Sequence, residues 1–135
     1  MKPVDQTRFG IPHGNCMAAR IASVLEVPLD QIHAPPAIEP YNVDWFEDYC
    51  VSLNSLGISL VHLHIGKNQW NVPDGLHCIL GGVSPREHEG QIMYHSVVGR
   101  SRRDGNTCYF DIVHDPHPSR DGLKTIESVD FVVRL

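Results

Sequence analysis

The chain has 135 residues, of which 41% are hydrophobic, and a formal net charge of −5 at pH 7. This length suits a single domain, residues 1–135, whose core is large enough to be stable without disulfides or metals. The negative charge gives no general attraction to nucleic acid or to anionic membranes, so neither is expected as a partner. No apolar run approaches the length of a membrane-spanning helix and no signal peptide is recognisable, which predicts a cytoplasmic protein.

The first predicted helix begins at Cys16. Asn15 is a good N-cap residue, and Pro28 ends the helix after apolar side chains at helical spacing, namely Ala18, Ile21, Ala22 and Leu25. A thiol in the first helical turn lies near unpaired backbone N–H groups and a partial positive charge, which favour the thiolate. Cys16 is therefore a candidate nucleophile. The alternative is that it is a small buried hydrophobic residue, as most free cysteines are.

A second helix is predicted from its cap, Asn42, to Gly57, with an apolar stripe formed by Trp45, Tyr49, Leu53 and Leu56. After Gly57 the hydrophobic period changes from about 3.6 to 2. We expect strands at 58–65, 77–83, 91–100, 107–114 and 129–135, and loops at 34–42, 66–75 and 84–90. Two helices followed by about five antiparallel strands predict an α+β fold.

A cysteine nucleophile needs a histidine, which a third polar group usually orients. His95 lies on one strand of a predicted hairpin, and His114 and Asp115 close the other. A two-residue turn at Asp104 and Gly105 would set His95 opposite His114, whereas a three-residue turn centred on Gly105 would set it opposite Asp115. We favour Asp115, because a carboxylate holds the imidazole tautomer and stabilises the imidazolium. His114 remains the alternative.

These residues resemble the papain-like cysteine peptidase superfamily, and in particular its small bacterial and phage members. The matching segments, in chain order, are Gln6-Thr7, Gly14-Asn15-Cys16, the helix to Leu25 with Val27-Pro28-Leu29, His95-Ser96-Val97-Val98-Gly99 and His114-Asp115-Pro116-His117-Pro118. The resemblance implies a papain-like fold, in which the N-terminal helix carrying the cysteine packs on a small antiparallel sheet.

The same resemblance implies a role for each matched residue. Cys16 would be the nucleophile, His95 the base and acid, and Asp115 the residue that orients His95. The backbone N–H of Cys16 and the Gln6 side chain would form the oxyanion hole, with the Asn15 side chain as an alternative donor. The implied function is hydrolysis or acyl transfer at an amide-type bond of a peptide or a small molecule, and it requires no cofactor and no metal.

Two other interpretations remain open. A papain-like protein that has lost turnover could serve as a binding protein or an inhibitor. A zinc protein is the other, because His62 and His64 alternate along one strand and share a face. His77, Cys78, His114 or His117 could complete such a site, although no recognised zinc-ligand spacing is present.

Overall fold

The structure, a computed structural model, describes residues 1–9, 14–33, 45–66 and 71–135. Within these ranges the helices are α1 (Cys16–Leu25), a short 3-10 helix (Leu29–Gln31) and α2 (Trp45–Asn54). The strands are β1 (Ile58–His64), β2 (His77–His88), β3 (Gln91–Asp104), β4 (Thr107–His114) and β5 (Ser128–Arg134). The predicted α+β class is confirmed, whereas the predicted cap at Asn42 lies outside the described residues. None of the helices described is long and apolar enough to cross a membrane.

Helix α1 begins at Cys16 as predicted, but Asn15 does not cap it through its side chain. Asn15 occupies the N-cap position, where its backbone carbonyl accepts the N–H of Ala19 at 3.1 Å, and its side chain makes no capping hydrogen bond. The helix ends at Leu25, and its C-cap, Glu26, has a left-handed φ of 61° and donates its N–H to the carbonyl of Ala22. The chain then turns before Pro28, so the predicted length of the helix is correct.

Strands β2 and β3 are longer than predicted. The sequence predicts a polar loop at 84–90, whereas β2 continues to His88 and a tight turn at Glu89 and Gly90 leads into β3. Both turn residues have positive φ, 50° and 75°. Most side chains near this end of the hairpin are exposed, so no hydrophobic alternation marks the strand in the sequence.

The five strands of the described chain form one antiparallel sheet in the order β1-β5-β2-β3-β4. One side, which we call the helix face, packs against α1 and α2 through Ile58, Leu60, Ile79 and Val132. The other side, the loop face, carries Leu80, Val97 and Val129 beneath Leu123 and Ile126, which lie between β4 and β5. His95 pairs with Gly82, two residues beyond the pair formed by Val97 and Leu80, so strand alternation places His95 on the loop face.

The hairpin of β3 and β4 has a different register from both predicted ones. Its turn is Gly105 and Asn106, because Asp104 pairs with Thr107. Further along, Gly99 pairs with Ile112 but Val98 pairs with His114, so Val113 is an extra residue in β4. Strand β4 ends there, and none of its residues lies opposite His95. The two cross-strand pairings predicted for His95 are therefore wrong.

We expect Gly82→Ala to destabilise the sheet, because a Cβ at Gly82 would lie 1.8 Å from the backbone carbonyl oxygen of Thr125. A backbone atom has to move to admit it, which should lower the free energy of unfolding by about 1–3 kcal/mol. Urea denaturation measures this change. Gly66→Ala is the matched control, since nothing lies within 4 Å of a Cβ at that position. Equal effects of the two substitutions would show that the close approach at Gly82 is absent.

Candidate active site

His95 and Asp115 form a buried hydrogen-bonded pair. Nε2 of His95 lies 2.7 Å from Oδ1 of Asp115, and the two side chains are only 7% and 3% exposed. The carboxylate of Asp115 also accepts the backbone N–H groups of His117 and Gly122, each at 2.9 Å. Three donors therefore hold the carboxylate, and the carboxylate in turn orients the imidazole.

Asp115 reaches His95 from the loop that follows β4. The extra residue Val113 puts His114 opposite Val98, on the helix face, and so turns the next residue towards the loop face. The Nε2 atom of His114 lies 3.1 Å from the carbonyl oxygen of Val4 and 3.3 Å from Oδ1 of Asp5. His114, the alternative partner in the sequence interpretation, is thus held by the N-terminal segment, and Asp115 is the residue in contact with His95.

The electrostatics of the pair identify which ring nitrogen is free. Burial lowers the pKa of His95 to about 4, although the hydrogen bond with Asp115 opposes this. Burial alone would raise the pKa of Asp115, but the hydrogen bonds from His95 and from two backbone N–H groups lower it overall. At neutral pH the pair is a neutral imidazole beside a carboxylate. Because a carboxylate only accepts, we assign the proton to Nε2, which leaves the lone pair of Nδ1 free to act as a base.

Cys16 is half-buried at the start of α1, and the first turn of this helix contains no acidic residue. The positive end of the helix dipole is therefore not neutralised by a side chain of that turn. Both Cys16 and His95 belong to the described residues, and no hydrogen bond joins them. The structure thus brings together two of the three predicted triad residues, while Cys16 lies on the helix that packs against the opposite face of the sheet.

The N-terminal segment brings the start of α1 to the same end of the sheet as the histidine. The backbone N–H of Gln6 donates to the carbonyl of Pro116 at 3.1 Å, and that of Asn15 donates to the carbonyl of Arg8 at 3.3 Å. The ring of His117 lies 5.4 Å from that of Phe9 and 6.3 Å from that of His95, measured between centroids. These contacts lie beside the part of β3 that contains His95, where β4 is no longer paired with it.

The two side chains that were predicted as oxyanion donors, Gln6 and Asn15, instead fix the N-terminal segment. Nε2 of the buried Gln6 donates to the carbonyl of Arg8 at 3.1 Å. Oδ1 of Asn15 accepts the backbone N–H groups of Thr7 and Arg8 at 3.1 and 3.0 Å, and its Nδ2 donates to the Thr7 hydroxyl at 3.1 Å. Asn15 was expected to cap the helix because its residue type suits that position. Its side chain instead holds the segment that contains Thr7 and Arg8 against the start of the helix.

Sequence reasoning missed a polar group beneath α1. Arg20 and Tyr49 are each 2% exposed. Within the described part of the chain, Nε and Nη1 of Arg20 and the hydroxyl of Tyr49 have no hydrogen-bond partner. Nη2 of Arg20 lies 2.9 Å from the sulfur of Met17. In the sequence, this group is indicated only by an arginine four residues after the candidate thiol, about one helical turn along the face of the helix that packs against the sheet.

The zinc interpretation has no ligand set among residues 1–9, 14–33, 45–66 and 71–135, which contain no group of three His, Cys, Asp or Glu side chains placed to hold a metal. Nδ1 of His62 lies 2.6 Å from Oδ1 of Asp130, and Nδ1 of His117 lies 2.9 Å from the Ser119 hydroxyl. His62 and His64 do lie side by side, with ring centroids 4.9 Å apart, but no third ligand joins them.

Searches for similar proteins found no matching family model, no matching curated protein and no matching solved structure. The functional argument therefore depends on the residues of this chain and on their geometry.

The buried His95 makes the stability of the fold depend on pH. Its pKa is about 4 in the folded chain, against about 6.5 for an unperturbed histidine, so the unfolded state binds the proton first. The free energy of unfolding should therefore fall as the pH is lowered from 6.5 towards 4, by about 2–3 kcal/mol from this group. Urea denaturation at pH 7 and pH 4.5 measures the loss.

His95→Gln should show a smaller loss over the same pH range, because the titrating group has been removed. His88→Gln is the control, since the His88 side chain is 75% exposed, and this variant should behave like the wild type. If His95→Gln and the wild type lose the same free energy, the imidazole of His95 is not held neutral by the fold.

Proposed function

We propose that this protein is a papain-like thiol hydrolase or acyl transferase, in which Cys16 attacks an amide-type carbonyl and His95 with Asp115 forms the acid–base pair. The observation that carries the proposal is the buried 2.7 Å hydrogen bond between Nε2 of His95 and Oδ1 of Asp115. The position of Cys16 as the first residue of a helix supports it, because a helix N-terminus favours the thiolate. The substrate is a peptide or a small-molecule amide.

The acid–base pair suits both halves of such a reaction. Nδ1 of His95 takes up the proton that Cys16 releases, and Asp115 stabilises the imidazolium while the S–C bond forms. Because burial disfavours this cation, it is a strong acid and returns the proton readily to the departing amine when the C–N bond breaks. Water, or an amine in a transferase, then attacks the thioester and regenerates the thiol.

This chemistry requires Sγ of Cys16 and Nδ1 of His95 to come within hydrogen-bond distance. In free enzymes such bonds are often long and tighten only when substrate binds. The start of α1 and the histidine share one end of the sheet, where the segment from Gln6 to Phe9 runs past Pro116 and His117. Approach of the start of α1 to His95 at this end of the sheet is the movement that the proposal needs.

The absence of a hydrogen bond between Cys16 and His95 favours a second candidate, a papain-like binding or inhibitor protein without turnover. In that case the pair of His95 and Asp115 is structural: it attaches the loop after β4 to the sheet through three donors on one carboxylate. The two candidates differ in whether the thiol reacts with the help of the histidine.

Acylation of Cys16 by p-nitrophenyl acetate, followed at pH 7 by peptide mass spectrometry, tests the proposal. We expect an acetyl group on Cys16 that forms and is then hydrolysed in the wild type. His95→Gln should slow the hydrolysis of the acetyl group by about 100-fold or more, because it removes the base that activates water and general acid–base catalysis contributes at least this much. His88→Gln should leave both rates unchanged.

Cys108 is an internal control, because it is a half-buried thiol on β4, away from His95. Acetylation of Cys16 at the rate of Cys108, together with hydrolysis of the acetyl group that does not respond to His95→Gln, would contradict the hydrolase proposal. The same outcome would leave the binding protein as the function that fits the site.

A further inference from the structure

We propose that Arg20 and Tyr49 stabilise Cys16 as a thiolate and that they, and not His95, set the ionisation of this thiol in the free protein. The inference rests on the role of Cys16 as the nucleophile of the proposed function. It separates two tasks that a cysteine–histidine pair usually combines, the formation of the thiolate and the transfer of protons during the reaction.

Arg20 is a buried cation whose charge needs compensation. Its side chain is inaccessible to water, and Nε and Nη1 have no partner in the part of the chain that the structure describes. Leaving an ionised group unpaired in a protein interior costs several kcal/mol, about as much as a small domain can lose. A nearby anion would recover much of this free energy, so a group that can ionise beside Arg20 gains stability as the anion.

Cys16 is placed to provide that anion. Residues four apart in a helix lie on the same side, with Cβ atoms about 5–6 Å apart, and Cys16 and Arg20 have this spacing in α1. Burial raises the pKa of the Tyr49 hydroxyl on α2. The charge of Arg20 lowers this pKa, and that of Cys16 raises it. Tyr49 belongs to the core cluster that contains Ala18 and Ile21 of α1, and its hydroxyl remains protonated as a hydrogen-bond donor.

The other ionisable groups near Arg20 are already engaged. Arg20 lowers the pKa of His95 on β3 and that of Asp130 on β5. The free thiol of Cys50 on α2 also lies near Tyr49, but burial raises its pKa and so keeps it protonated. Oδ1 of Asp130 is bonded to His62, and burial raises the pKa of this carboxyl. Arg20 forms no ion pair with any carboxylate of the described residues.

In the resulting arrangement the S–H bond of Cys16 breaks, its electron pair stays on Sγ and the proton leaves to solvent. Sγ of the thiolate accepts the Tyr49 O–H and an Arg20 N–H, and the N–H groups at the start of α1 add their partial positive charge. The donors that are unpaired beneath α1 thereby gain an acceptor.

The test is the pH dependence of Cys16 alkylation by iodoacetamide, resolved by peptide mass spectrometry so that Cys108 is read in the same sample. We expect Arg20→Met to raise the midpoint by about one pH unit or more, which is a tenfold loss of rate well below the midpoint. Arg20→Lys should retain most of the wild-type midpoint because it keeps the charge. Tyr49→Phe should raise the midpoint by a smaller amount.

Two controls make the result specific. Arg102→Met removes an exposed arginine from its pair with Asp111 and should leave the midpoint of Cys16 unchanged. His95→Gln should also leave it unchanged, and a rise in this variant alone would identify His95 as the partner of the thiolate and overturn the proposal. An unchanged midpoint in both Arg20→Met and Tyr49→Phe would overturn it as well.

Tyr49→Phe decides the matter if Arg20→Met does not fold, because it removes a single oxygen: an unchanged midpoint in folded Tyr49→Phe then contradicts the proposal. The outcome is also separable from that of the acylation experiment. A midpoint that responds to Arg20 and Tyr49, in a protein whose acetyl group on Cys16 is not hydrolysed, supports this proposal and removes the hydrolase.

Discussion

A carboxylate that is buried must recover from the protein the hydrogen bonds it had with water, and the site is built around this requirement at Asp115. The imidazole of His95 and two backbone N–H groups satisfy it. Because the two N–H groups come from His117 and Gly122, the carboxylate also fixes the loop whose continuation supplies Leu123 and Ile126 to the second hydrophobic core. Arg120 extends the network, since it binds both the carbonyl of Asp115 and the side chain of Asp5 in the N-terminal segment.

The parts of the fold that could be predicted are those that local sequence determines. Hydrophobic spacing and Pro28 define α1, and the change of period after Gly57 reveals the sheet, because in both cases burial recurs at a regular interval. The last part of β2 could not be found in this way, since most side chains from Pro85 to His88 are exposed. The hairpin register could not be found either, because it depends on where Val113 is inserted, and a β-bulge leaves no periodic signal.

In the site, too, the residue types could be predicted from their chemistry, whereas their positions could not. Preference for a carboxylate beside a histidine pointed to Asp115, and the two residues are in contact, although the cross-strand argument used to place them was wrong. Hydrophobic periodicity assigned Tyr49 to the core, where it does lie, but such a pattern cannot show that its hydroxyl is left without a partner. Unpaired donors are a property of three-dimensional packing, and they are what draws attention to Arg20. The two proposals thus assign the ionisation of Cys16 to one set of polar groups and its proton transfers to another.

The extra residue in β4 has a consequence for how this hairpin can change in length. Side chains alternate between the two faces of a strand, so each residue gained or lost between the turn and Asp115 exchanges the faces. Without Val113, the carboxyl group would point towards α1 and away from the imidazole. Two residues gained or lost together would restore the facing. The contact between Asp115 and His95 therefore depends on whether the number of residues between the turn and Asp115 changes by an odd or an even number. Only insertions or deletions of two residues keep the carboxyl group on the face of the imidazole.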